Sequence, residues 1–215
     1  IPIPDSVTSI GEGTFKRRTS LKSITLPFVG QQADGTGETH FGYIFGASSY
    51  LYNDDYVPSS LKEVVITSAT SIDSNAFEYC ESLTSITIPD SVTSIGYDAF
   101  NSCTSLASVS ITDIAAWCNI SFSSAYTNTL YYAENLYLNG ELVPDLVIPD
   151  SVTIIGKWAF YGCSSLTNIS IPDSVTNIGE GAFYNCYNLT SITLPFVGGK
   201  ADGTGSTDFD YIFYF

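Results

Sequence analysis

The sequence predicts a repeat solenoid, mostly β with short turns and helices, and three observations carry that reading. The string IPDSVT occurs four times, starting at residues 3, 88, 148 and 171, each time followed by an Ile-Gly pair at 10/11, 95/96, 155/156 and 178/179. Units begin at Ile3, Leu26, Ile66, Ile88, Ile111, Ile148, Ile171 and Leu194, spaced 23, 40, 22, 23, 37, 23 and 23 residues, so the base period is 23. One such unit carries only six or seven apolar side chains, too few for a core of its own, so neighbouring coils must supply the other walls.

Within a unit, Leu83, Ile86, Ile88 and Pro89 show the L-x-x-I-x-I-P pattern, in which apolar and hydroxyl residues alternate at period two, as in a half-buried strand. Proline then ends the ladder by removing an amide donor; six of the nine prolines (Pro4, Pro27, Pro89, Pro149, Pro172 and Pro195) sit there. The aspartate that follows in the full units (Asp5, Asp90, Asp150 and Asp173) is a turn residue. Val92 and Ile95 point inward again, and the glycine after the Ile is expected to make a bend at positive φ. An Ala-Phe pair (76/77, 99/100, 159/160, 182/183; Thr14-Phe15 in the first unit) then fills the coil interior. Ile24, Val64, Ile86, Val109, Leu146, Ile169 and Ile192 should lie mid-strand, facing inward, in one continuous parallel sheet. The outward row is then Ser23/Thr25, Glu63/Val65, Ser85/Thr87, Ser108/Ser110, Asp145/Val147, Asn168/Ser170 and Ser191/Thr193, hydroxyl-rich, weakly acidic and without aromatic anchors.

The chain reads as a single array over residues 1–215, with long inserted units at 26–65 and 111–147 and a truncated one at 194–215. The truncation follows from a longer period. SITLPFVG at 23–30 returns at 191–198 and ADGTG at 33–37 returns at 201–205, both offset by 168, and Phe41, Tyr43, Ile44 and Phe45 return as Phe209, Tyr211, Ile212 and Phe213. The tail aromatics Phe196, Phe209, Tyr211, Phe213, Tyr214 and Phe215 are expected to fold back over the last coil or to pair with another copy of the chain. In the second insertion, TDIAAWCNI reads as a short capped helix with Cys118 on its inner face, and LYLNGELV as a hairpin turning at Asn139-Gly140. With no Met anywhere, residue 1 reads as other than a native start and the chain as a piece of something longer.

Composition narrows the function classes. Seven Lys and Arg against 22 Asp and Glu give a net charge of −15, a field that repels phosphate backbones and anionic lipid and argues against nucleic-acid binding. No apolar run approaches the roughly 18 residues of a membrane helix, so no membrane insertion is expected within this segment. Ser and Thr number 51, so the surface is polar through hydroxyls more than through ions.

The repeated I-G-x-x-A-F-x-x-C-x-x-L spacing resembles the leucine-rich repeats of the BspA type, across essentially the whole chain and including its long units. The resemblance implies a curved right-handed leucine-rich-repeat solenoid with one parallel sheet on the concave side. It also implies a bacterial cell-surface, extracellular protein, since several family members look like adhesins for host or neighbour-cell molecules. The chain departs from the pattern at Asp73 in place of Gly, Arg18 in place of Cys, and Thr67 and Thr112 in place of Pro.

Candidate chemistry is sparse. Cys80, Cys103, Cys163 and Cys186 share one repeat position and should stack in parallel at roughly 4.8 Å steps, which suits free, buried thiols better than disulfides. C-x-x-C spacing is absent and the one histidine, His40, lies in an insertion, so neither a zinc site nor a catalytic Cys-His pair is expected. Gly-Thr-Gly lacks the lysine of a phosphate loop, and Asp54-Asp55 and Asp208/Asp210 lack a repeated calcium-loop pattern. No cofactor, metal or enzymatic activity is anticipated. Aromatic residues concentrate in the insertions, and loops on a rigid scaffold usually carry recognition. The binding candidates are therefore Tyr43, Tyr50, Tyr52, Tyr56, Tyr126, Tyr131 and Tyr132, with Glu63, Asp145 and Asn168 on the strand row. The expected function is a non-enzymatic binding or adhesion module for a protein or glycan partner, acting as a monomer, with a purely structural spacer as the rival. Exposed insertion aromatics favour binding; internally packed ones favour a spacer. Four of the seven cations, Lys16, Arg17, Arg18 and Lys22, cluster in the first coil and read as a solvated turn or a docking point.

Overall fold

The computed structural model describes residues 1–213 and shows a parallel-sheet β-solenoid of about six turns. The period-two stretches form its main strand row. Ser23–Leu26, Glu63–Ile66, Ser85–Ile88, Ser108–Ile111 and Leu136–Leu138 pair in parallel, each with the next. Registers run Ile24 to Val64 to Ile86 to Val109, so one buried aliphatic sits over the next and each coil walls in its neighbour.

The row is not one continuous sheet, contrary to the expectation from the repeat. Asp145–Val147, Asn168–Ser170 and Ser191–Thr193 form a second parallel sheet, with Leu146, Ile169 and Ile192 in register. The break has a local cause in the second insertion. Leu136–Leu138 takes a place in the first sheet, and the chain then reverses at Asn139-Gly140 into the antiparallel strand Glu141–Leu142. The Val143 amide closes back on the Leu136 carbonyl at 2.9 Å, and Pro144, having no amide, cannot extend the ladder. The hairpin itself is as expected: φ is 51° at Asn139 and 87° at Gly140, the pair of positive values a type I′ turn needs. Leu142 pairs with Tyr137, on the opposite side from Leu136 and Leu138. A further consequence is that Tyr137, in register with Ser110, joins the outward row that sequence reasoning left without an aromatic.

A second line of short parallel strands, not anticipated, runs through Ser71–Ile72, Ser94–Ile95 and Ser121–Phe122, and again through Ile154–Ile155 and Asn177–Ile178. Between the two lines the Pro-Asp-Ser-Val turns close by hydrogen bonds from Val to Pro of 3.0 to 3.2 Å, which gives the repeated aspartates their turn role. The interior is filled by phenylalanines. Phe77 stacks on Phe100 at 5.1 Å and Phe160 on Phe183 at 5.5 Å, with their rings within 9° and 5° of parallel. Their backbones repeat the contact, since Phe77 donates to Ala99 and Phe160 to Ala182.

The glycine that follows each Ile is not at positive φ, and that expectation is corrected. At Gly96 and Gly179 the reason for glycine is space. A Cβ on Gly96 would lie 2.5 Å from the Ser74 nitrogen and one on Gly179 2.3 Å from the Lys157 nitrogen, so the adjacent coil crosses where the side chain would be. Positive φ falls instead on two other columns, one at Gly13, Asn75, Asp98, Trp158 and Gly181, the other at Arg17, Tyr79, Ser102, Gly162 and Asn185.

The tail continues the array over the last coil, in line with the first of its two expected fates. Gly181 donates to Tyr211 and Phe183 to Ile212, and the Phe213 ring lies 6.3 Å from Phe183. Ile212 and Phe213 are buried while Phe209 is exposed; Tyr214 and Phe215 lie outside the described residues. All five cysteines are free and buried, as expected, and two of the thiols donate to coil carbonyls: Cys103 to Phe77 at 3.1 Å and Cys186 to Phe160 at 3.2 Å. Burial pushes Cys103 and Cys118 up to about 12 and Cys163 to about 11, and raises Cys80 and Cys186 as well.

Two predictions follow from this packing. Gly179→Ala should destabilise the fold by about 1–3 kcal/mol through overpacking against the Lys157 backbone, read as a lowered urea midpoint; an unchanged midpoint would show that the coils have room to part. The thiols set a pH dependence. The unfolded chain releases their protons near the ordinary value of 9.0 and the folded chain only near 11 to 12, so this stability is whole below pH 9 and drains away as pH rises toward 12. Unfolding midpoints that hold constant from about pH 9 to 12 would contradict it.

Candidate functional site

The first insertion is pinned by a residue that sequence reasoning passed over. Asn53 is fully buried; its Oδ1 accepts from the Gly42 amide at 2.9 Å and its Nδ2 donates to the Glu78 carbonyl at 2.7 Å. Phe28, Phe41 and Phe45 fill the interior beneath, and Tyr43 and Tyr50 are half-buried, with the Tyr43 ring edge-on to His40 at 6.2 Å. Leu51, Tyr52 and Tyr56 are left exposed on the 3-10 turn Tyr50–Tyr52 and the helical turn Asn53–Tyr56.

The second insertion is tied down by side chains that replace a missing coil. Elsewhere an Ala carbonyl accepts the amide of the preceding coil's Phe, but the Ala159 carbonyl accepts from the Trp117 indole at 2.8 Å and the Asn128 amide at 2.9 Å. The helix Ile114–Cys118 is capped as expected, with Asp113 Oδ1 accepting from the Ala116 amide at 2.6 Å, and Cys118 faces inward. Trp117 and Phe122 are buried, and the tyrosines of this region form a chain of ring contacts that runs from exposed Tyr126 to buried Tyr161. Tyr131 lies 5.3 Å from Tyr126, 4.8 Å from Tyr132 and 5.7 Å from Tyr161, and Tyr161 lies 5.0 Å from Tyr184. Tyr132 is held by its hydroxyl, which donates to Asn101 Oδ1 at 3.0 Å and accepts from the Ser102 amide at 3.2 Å.

Tyr126, Tyr131 and Tyr132 are thus brought together, whereas Tyr43, Tyr50, Tyr52 and Tyr56 form a separate group on the first insertion. Trp158, Tyr161 and Tyr184 were missed, because they belong to the repeat and not to an insertion. The signal lay in the column after the Ala-Phe pair, which reads Glu78, Asn101, Tyr161, Tyr184 along the chain. The groove between these rings, about 250 Å³, is lined by Ala125, Tyr126, Trp158, Tyr161, Glu180, Gly181 and Tyr184. Burial first, and then the neighbouring phenols of Tyr184, Tyr126, Tyr131 and Tyr187, push Tyr161 up to about 12, so its hydroxyl is a neutral donor across the physiological range.

On the strand row, Asp145 and Asn168 are adjacent in register, and Asn168 Nδ2 donates to Asp145 Oδ1 at 2.5 Å. Glu63 sits in the other sheet, beside Ser23 and Ser85. A cavity of about 380 Å³ opens at the last coil among Phe183, Leu189, Ile192, Phe209 and Phe213. Its strand and ring positions are those that pack coil on coil elsewhere, which makes it a packing surface. No group of three or more His, Cys, Asp or Glu gathers as a metal site, and no helix is long and apolar enough to cross a membrane, among the described residues.

The sequence model of the BspA type leucine rich repeat region matches the chain in six copies, over residues 1–34, 50–140 and 133–197. No curated protein matches the sequence. Among solved structures, the chain is similar to a leucine rich cell surface protein from Faecalibacterium prausnitzii, at 26% identity over 90% of this chain and 60% of that one with a TM-score of 0.39. It is similar also to a leucine-rich repeat protein from Bacteroides ovatus, at 29% identity over 89% of this chain and 54% of the other with a TM-score of 0.37. A leucine rich repeat protein of T. pallidum is 24% identical, with 60% of this chain and 68% of that one covered and a TM-score of 0.40. The chain thus spans little more than half the length of two of these three proteins.

Proposed function

This chain belongs to the BspA-type leucine-rich repeat family, and from that premise we propose that it is a non-enzymatic recognition module that holds an aromatic surface against a protein or glycan at the cell surface. The observation that carries the reading is the exposure of the insertion aromatics. Tyr52, Tyr56, Tyr126 and Tyr131 are exposed on lobes whose own interiors are already filled by Phe41, Phe45, Trp117 and Phe122. A spacer has no use for such rings, which cost solubility, while binding surfaces are enriched in them. The rigid coils beneath keep the entropy lost on binding small, because Asn53, Trp117 and Asn128 already anchor both lobes to the stack. The strand row, small and hydroxyl-rich apart from Tyr137, serves better as a secondary contact through Asp145 and Asn168. The cell-surface setting rests on the family.

Capture of glycan arrays and extracellular-matrix proteins by the full chain tests this. The double variant Tyr126→Ser/Tyr131→Ser should lose at least about tenfold in affinity, equal to about 1.4 kcal/mol, with an unchanged melting temperature, since both rings stand at the surface. Capture that survives this variant, the equivalent change at Tyr52 and Tyr56, and deletion of residues 28–60 would leave the spacer as the better account.

A further inference from the structure

Beyond the general recognition reading, on which this inference rests, the groove beside the second insertion has chemistry of its own. The rings at and beside it share no common plane: of the lining rings Tyr161 is tilted 44° from Tyr184, and Tyr131, adjacent to the groove but not lining it, stands at 90° to Tyr126 and 33° to Tyr161. Differently oriented faces around one small volume suit a compact, roughly spherical group better than the flat ring of a sugar. Trp158 is placed there at a conformational cost. Its column is Gly13, Asn75, Asp98 and Gly181 in the other coils, residues that tolerate a positive φ, yet Trp158 holds φ at 56°. Gly181 makes room for the indole, because a Cβ on it would lie 2.9 Å from the ring. Strain kept where a glycine would serve marks a position held for contact.

The charge of the ligand is indicated by Lys157 and Glu180. The Lys157 ammonium lies 5.8 Å from the Trp158 ring centre and 3.2 Å from Glu180 Oε2, so the protein's own cation already uses the aromatic face and the carboxylate together. That pair is solvent-exposed and therefore weak, which leaves it open to displacement. A chain of net charge −15 also concentrates cations at its surface. The geometry points to a binding site for an organic cation of the quaternary ammonium class, seated against Tyr126, Trp158 and Tyr161 with Glu180 as its counter-charge. A trimethylammonium group fits where a hydrated metal ion does not, because it is weakly solvated and interacts well with aromatic faces.

Titration of the full chain with choline chloride, followed by calorimetry and by tryptophan fluorescence, tests the inference. Saturable binding with a Kd of about 1 mM or tighter is expected, at least tenfold stronger than for the neutral isostere 3,3-dimethylbutan-1-ol. Trp158→Gly, which puts in the residue found at Gly13 and Gly181, should abolish binding while the chain still unfolds cooperatively, and Tyr126→Ser, a surface change, should weaken it severalfold. Lys157→Met should tighten binding severalfold by vacating Glu180. Equal affinity for the neutral isostere, no saturation, or full binding by Trp158→Gly would each overturn the inference. If choline fails while macromolecular capture still depends on Tyr126 and Tyr131, the recognition reading stands and only the ligand class falls.

Discussion

The distance between coils is the constraint on which everything else depends. Strands in hydrogen-bonding register stand roughly 4.8 Å apart, and the stack keeps that spacing through all four pairings of the first sheet's parallel strands and both of the second's. Only side chains that can lie directly over their own copies survive it. Phenyl rings do so by stacking, aliphatics by nesting, and thiols by being small enough to reach a coil carbonyl. Where backbone crosses backbone, at Gly96 and Gly179, no side chain fits at all. Each column of the repeat is therefore chosen by its neighbours in the adjacent coil, which is why the sequence repeats so literally.

The insertions show what happens when that supply of backbone partners is interrupted. A long unit takes its residues out of the stack and leaves carbonyls and amides in the flanking coils without their usual mates, and a buried unsatisfied group costs about 1–3 kcal/mol. The second insertion answers with the Trp117 indole and Asn128 on the Ala159 carbonyl, and the first with Asn53 bridging Gly42 and Glu78. Both lobes are thereby welded to the array. Their outer rings are held on a rigid base, which is the condition for a surface loop to bind without first being ordered.

The period, the strand positions, the buried thiols and the Asn-Gly hairpin were legible because each arises from local pattern: alternation, a proline stop, an in-register column, a two-residue turn. What escaped the sequence depends on contact between coils. Gly96 and Gly179 looked like bends and proved to be crossings, since nothing in a single unit reveals how near the next backbone runs. The division of the strand row was hidden because Leu136–Leu138 does not carry the repeat's own signature yet takes a repeat strand's place. For the candidate site, Tyr126, Tyr131 and Tyr132 were visible as insertion aromatics. Trp158, Tyr161 and Tyr184 were not, because they sit inside otherwise ordinary repeats.

That last omission bears on where function is to be sought in such an array. Columns that build the stack are held fixed by packing, so information about a partner can be written only in columns that face solvent and in the insertions. Beside the second insertion a further column changes, one that is buried at Glu78 and Tyr161 and half-buried at Asn101 and Tyr184. The coils that follow the second insertion replace Glu78 and Asn101 with Tyr161 and Tyr184, and a left-handed position suited to glycine or asparagine carries Trp158. Tyr161 and Tyr184 lie along the stack at 5.0 Å, and Tyr131 reaches Tyr161 from the insertion at 5.7 Å. A substitution in one free column would change only one ring; a groove requires neighbouring coils and an insertion to change together. The other coils stack without these three residues, and Trp158, Tyr161 and Tyr184 line one groove together with Glu180, which is the arrangement the proposed ligand site rests on.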